Sequence, residues 1–68
     1  HLFAMLDLCK KVLSRVSSDR KLFARELAKS VRYLHGEERK QLKRWCLKMF
    51  AQRYGDLINQ TFSQVSMA

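Results

Sequence analysis

Apolar residues recur along most of this chain at steps of three and four, the period of a helix with one buried face. Phe3, Leu6, Cys9, Val12, Leu13 and Val16 mark a first helix from about Leu2 to Val16. The run Ser17-Ser18-Asp19 interrupts the pattern, and each of its side chains can accept a hydrogen bond from the free amides that open a helix. A second helix is therefore predicted from Asp19 to about Leu34, with Phe23, Leu27, Val31 and Leu34 as its stripe. His35-Gly36 ends it, Gly36 being free to take the left-handed conformation that closes helix C-termini. Glu37 and Glu38 come immediately after, where acidic groups favour a helix start.

The third and longest helix is predicted from Glu37 to Tyr54, burying Leu42, Trp45, Cys46, Met49, Phe50 and Tyr54. Gly55 repeats the stop signal, and Asp56 is a ready N-cap for a short fourth helix. That helix shows Leu57, Ile58, Phe62 and Val65 before fraying at Ser66-Met67-Ala68. There is no internal repeat, low-complexity tract or long linker. Short connections imply antiparallel neighbours. The expected fold is all-α, a small antiparallel four-helix bundle made of three main helices and a short C-terminal one.

Composition narrows this picture. Sixty-eight residues make one domain, spanning residues 1–68, and a chain this short hides only about 60% of its unfolded surface on folding. There is no proline and there are only two glycines, so most of the punctuation used by sheets and irregular folds is missing. Hydrophobic residues make up 47% of the chain, too many for a disordered basic tail. A first residue of His1 rather than methionine suggests an excerpt or processed piece of a longer protein. No apolar run approaches the ~20 residues of a membrane span, and no signal-peptide layout is visible. Cys9 and Cys46 fit a reducing compartment, and nothing in their spacing argues for a disulfide.

Charge changes the picture most. Fourteen Lys and Arg oppose six Asp and Glu, a net charge of +8. Self-repulsion of that size costs folding stability and favours polyanionic partners. On a wheel of the second helix, Lys21, Arg25, Lys29 and Arg32 fall in one quadrant opposite the apolar stripe. On the third, Lys40, Lys43, Arg44 and Lys48 lie across from Leu42, Cys46 and Met49. The first helix adds Lys10, Lys11 and Arg15. Acidic partners are scarce. Asp7 can reach Lys10 and Lys11, Glu26 can reach Lys29, and Glu37 can reach Lys40. Lys43, Arg44, Lys48, Arg25 and Arg32 have no evident carboxylate within their own helix.

Lysines simply facing water would explain a soluble domain, but segregated and unpaired cations fit phosphate contact better. Neutralising phosphates releases counterions and gives affinity without sequence preference. No recognition helix of the helix-turn-helix kind is marked, so base reading is not expected.

Candidate chemistry is thin. Cys9, Cys46, His1 and His35 lack the close ligand pairs of structural zinc, and both cysteines sit in apolar stripes, so no metal or cofactor is expected. His35 suits the end of a helix, where the dipole favours it. There is no Ser-His-Asp set, no cysteine beside a base and no glycine-rich phosphate loop, so the chain reads as non-catalytic. Trp45, between Leu42 and Met49, reads as a core anchor before a base-stacking platform. Tyr33 lies off the second stripe and fits either a helix edge or a partner contact.

The third helix and the C-terminal segment beyond it resemble the C-terminal helical domain of the chromodomain-helicase DNA-binding chromatin remodellers, a domain also found in small stand-alone proteins. The resemblance rests on the pattern L-x-R-x-x-L-x-x-F-x-x-[KR]-[FY], which Leu42, Arg44, Leu47, Phe50, Arg53 and Tyr54 match in order. The Glu37-Glu38 region, the Leu27 to Leu34 stripe and the Phe62 to Ala68 stretch also align, with Cys9-Lys10-Lys11 the best anchor in the first helix. The family carries tryptophans where this chain has Lys43 and Lys48, a basic residue where it has Trp45, and a longer domain. The resemblance implies a four-helix bundle that binds double-stranded DNA or nucleosomes in the nucleus, as an accessory to chromatin work. It carries over Arg44 and Arg53 as basic positions. It also marks Leu47, amid the basic residues of the third helix, as covered by the fourth helix and splitting that surface.

The expected function is thus a monomeric, non-catalytic DNA-binding bundle with no membrane contact. Its phosphate-contacting residues are Arg25, Lys29 and Arg32 on the second helix and Lys40, Lys43, Arg44 and Lys48 on the third, with Arg53 a lesser contributor. The rival class is a protein–protein module whose groove takes a partner helix, with Leu22, Tyr33, Leu47 and Leu57 as its diagnostic residues. Attachment to anionic lipid through the first helix is weaker, because its apolar face is needed by the core.

Overall fold

The computed structural model describes residues 3–66. Leu2, where the first helix is expected to start, and Met67 and Ala68, where the last is expected to fray, lie outside the described residues, as does His1.

Three helices account for nearly all of the described chain: α1 (Ala4–Arg15), α2 (Arg20–Tyr33) and α3 (Gly36–Ser66). No strand occurs among the described residues. Asp19 caps α2, its side chain accepting a hydrogen bond from the Leu22 amide at 3.1 Å. At the far end Leu34 is extended, and the Arg39 guanidinium Nε donates to the Leu34 carbonyl at 3.0 Å. That bond supplies one of the partners a helix C-terminus lacks. Gly36 does take the left-handed conformation, with φ +53°, but at the first residue of α3 rather than as the closing residue of α2.

α1, α2 and the part of α3 before Tyr54 run up, down and up. The start of α1, the end of α2 and the start of α3 meet around Ala4, Tyr33 and His35. At the opposite end Phe23, early in α2, stacks on Tyr54 at 4.3 Å between ring centroids, and the Tyr54 hydroxyl donates to the Ser17 carbonyl in the α1–α2 turn. One core joins all three: Leu6, Cys9 and Leu13 from α1, then Phe23, Leu27, Val31 and Leu34, then Leu42, Cys46, Tyr54, Ile58 and Phe62. The α2 stripe is buried as its spacing predicts.

The third helix departs from expectation at two places. Met49 is 56% exposed instead of buried. Its neighbours in the core form a four-residue row, Leu42, Cys46, Phe50, Tyr54, and Met49 lies off it. The second is the boundary expected at Gly55 and Asp56: the break comes one residue earlier, at Tyr54 (φ −130°, ψ 19°), where two helical stretches meet across a kink. The second stretch, as far as Ser66, is the segment expected as a short fourth helix.

A row of four-residue steps drifts about 40° around a helix at each step. On a straight α3, Ile58 and Phe62 would lie about 160° and 200° from Leu42, on the solvent side. Both are buried, so the bend at Tyr54 is what returns the row to the core.

The two glycines are therefore not equivalent. Gly36→Ala forces an L side chain into the left-handed region and is expected to cost about 1 kcal/mol or more. Gly55→Ala meets nothing within 4 Å in a helical stretch and is expected to be neutral or stabilising, by up to about 1 kcal/mol. Urea midpoints of the two variants check this; equal midpoints would contradict the assignment.

Candidate nucleic-acid interface

None of the fourteen Lys and Arg is buried. Among the described residues two of them contact a carboxylate: Lys29 with Glu26 at 3.6 Å, as the spacing predicts, and Arg44 with Glu37 at 3.6 Å. The second pair corrects the expectation that Arg44 lacks an acidic neighbour and that Glu37 serves Lys40. Glu37 lies two turns earlier on the same helix, on the same face. Both pairs are solvated, and such pairs are worth about 0–1 kcal/mol.

A second group of cations is held by structure. Arg39 closes α2, and the guanidiniums of Arg20 and Arg53 lie over the Tyr54 ring, 5.9 and 5.2 Å from its centroid. Arg53 is exposed, yet part of its role is to cover the bend. The remaining site residues are exposed and have no carboxylate partner among the described residues: Arg25 and Arg32 on α2, and Lys40, Lys43 and Lys48 on α3.

Because the apolar stripes of α2 and α3 face one core, their basic faces open outward in different directions. Leu47 is half-buried against the core and by its spacing sits between Lys43 and the Arg44–Lys48 row. Lys40, Arg44 and Lys48 share one face by their four-residue spacing.

Trp45 joins that face to α1. Its ring is half-buried, packed edge-on to Phe50 at 5.5 Å, with the Lys10 ammonium 5.9 Å from its centroid. Its open side lines a shallow depression of about 390 Å³ with Gln41, Arg44 and Lys48, and with Glu37 at its edge. Trp45 is thus anchored and accessible at once, where its spacing favoured an anchor over a stacking platform. Lys10 is the contributor that sequence reasoning placed with no face. The signal was available: Lys10 is next to Cys9 and three residues before Leu13, at the flank of a buried stripe, where a long side chain must lie along a helix–helix seam.

Both cysteines are free and buried in the core. Burial, with Cys9 nearby, pushes the Cys46 thiol up from its ordinary 9.0 to about 12, and Lys10 opposes this only in part. At neutral pH Cys46 is a neutral core side chain. Among the described residues no cluster of His, Cys, Asp or Glu could hold a metal ion, and no helix is long and apolar enough to cross a membrane.

Comparison with protein-family models, curated proteins and solved structures finds no match for this chain.

The Arg44–Glu37 pair makes a specific expectation. A phosphate at Arg44 has to displace Glu37, so Glu37→Gln should tighten binding of a DNA duplex by about two- to fivefold, the fold-change equivalent of a weak solvated ion pair. Fluorescence anisotropy at low salt reads this; unchanged or weaker binding would remove Arg44 from the interface.

Proposed function

We propose that this domain is a non-catalytic DNA-binding module that contacts the phosphates of double-stranded DNA with little sequence preference. The principal contact is the α3 face of Lys40, Arg44 and Lys48, extended by Lys10 beside Trp45. The outer face of α2, with Arg25, Lys29 and Arg32, is a second and separate cationic surface. Lys43 and Arg53 contribute at the margins. The observation that carries this reading is the excess of exposed cations over carboxylate partners, with two ion pairs among the described residues for fourteen Lys and Arg. Such a surface attracts polyanions, and nucleic-acid phosphate supplies the regular charge spacing it needs.

The likeness to the remodeller domain directs the proposal toward chromatin, the nucleus and a nucleosomal partner. In that pattern Leu42 and Tyr54 are buried, Leu47 and Phe50 half-buried, and Arg44 and Arg53 exposed, the distribution a shared bundle requires. On the same reading, the part of α3 after Tyr54 acts as the fourth helix of that bundle.

A salt titration tests the proposal. With about five phosphate contacts, log affinity should fall against log salt with a slope near −4 to −5. Replacing Arg44 and Lys48 together with Gln should flatten the slope by about two, while Arg25 and Arg32 replaced together should change it less. Affinity indifferent to salt, or α2 variants alone flattening the slope, would contradict the assignment.

A further inference from the structure

The α1–α2 seam differs in kind from the Trp45 face. Along it the chain leaves large apolar side chains uncovered: Met5 is 36% exposed, Leu8 50% and Tyr33 59%. With Cys9, Val12 and Ser30 they line a groove of about 310 Å³. Met5, Leu8 and Val12 fall at steps of three and four on α1, so they form one ridge beside the buried stripe. Leu22, Glu26, Lys29 and Tyr33 form the facing ridge on α2 by the same spacing. Leu22 is exposed too, whereas Leu47 and Leu57 are packed against the core. Of the four diagnostic residues, the two on α2 remain available.

The rims of this groove are cationic on both sides. Lys11 and Arg15 lie three and seven residues beyond Leu8, on the outer edge of α1, and both are exposed. Arg25, Lys29 and Arg32 continue along the outer edge of α2, and Arg32 borders Met5 and Tyr33 at the end of the bundle. The one carboxylate lining the groove, Glu26, is already engaged by Lys29.

We infer that the α1–α2 groove docks an acidic amphipathic helix from a partner protein. The partner's apolar residues at i, i+3 or i+4, and i+7 fill the space over Leu8 and Tyr33, and its carboxylates meet Lys11, Arg15 and Arg32. The charge decides between occupants. A second copy of this chain would bring cations against cations. A nucleic acid would satisfy the rims but leave the apolar floor uncovered. From Met5 to Val12 the groove runs about 10 Å, two turns of a docked helix. This site is separate from the α3 face, so the domain would hold DNA there while the partner's carboxylates take the α2 cations that otherwise add to DNA contact.

The test is selection of random peptides of about 14 residues, long enough to form a helix, displayed against the intact 68-residue chain. Enriched sequences should be acidic and carry apolar residues at helical spacing. For the best of them, Leu8→Ser and Tyr33→Ser should each weaken binding by about tenfold or more, as truncation of a central contact does. Both side chains are at least half exposed, so these variants should keep the far-ultraviolet dichroism of the parent. Lys48→Gln on α3 should leave peptide binding unchanged. Enrichment of acidic sequences lacking an apolar stripe, no enrichment, or peptide binding lost through Lys48→Gln but kept in Leu8→Ser would each overturn the inference. So would loss of duplex affinity in Leu8→Ser, which would assign the groove to nucleic acid.

Discussion

The architecture depends on the backbone break at Tyr54. The apolar residues of α3 advance in four-residue steps, and such a row winds away from any fixed partner as the helix lengthens. Breaking the helix at Tyr54 lets Leu42 and Cys46 before it, and Ile58 and Phe62 after it, face the same core. Tyr54 also fastens the joint: its ring stacks on Phe23, its hydroxyl reaches the Ser17 carbonyl, and Arg20 and Arg53 cover it. One side chain thereby ties the α1–α2 turn, the start of α2 and the middle of α3 together.

The distribution of charge is set by the narrowness of that core. Each helix commits one stripe of apolar residues to it, and burial of an unpaired charge would cost several kcal/mol. Every cation is therefore driven to the surface or to its edge, where six carboxylates are too few to neutralise fourteen Lys and Arg. The result is not one basic side but separate outward faces. These are then distinguished by what lies between them: an anchored tryptophan on the α1–α3 side and an open apolar groove on the α1–α2 side.

Much of this is legible in the residues alone. The α2 stripe and the Asp19 cap are local patterns, with each residue's partner within a turn or two, and both form as their spacing predicts. The left-handed Gly36 is legible in conformation, since few other residues adopt it, but its position one residue into α3 depends on how Arg39 and Leu34 close α2. Met49 defeats a helical wheel because the wheel assumes a fixed buried direction, and the four-residue row of α3 winds as it advances. Gly55 and Asp56 mark the end of the long helical stretch to within one residue, the break itself falling on the preceding tyrosine. The pairing of Lys10 with Trp45 is beyond local reading, since the two are joined only by tertiary packing.

The central proposal is that the exposed cations beside Trp45 form the surface on which DNA lies. Chemical-shift mapping of the 68-residue chain with a short duplex at low salt tests it most directly. The account requires the largest changes at Lys10, Lys40, Arg44, Lys48 and the Trp45 indole, with smaller ones on the outer face of α2. Changes confined to the groove of Leu8 and Tyr33, or an undisturbed Trp45 indole at saturating duplex, would contradict it.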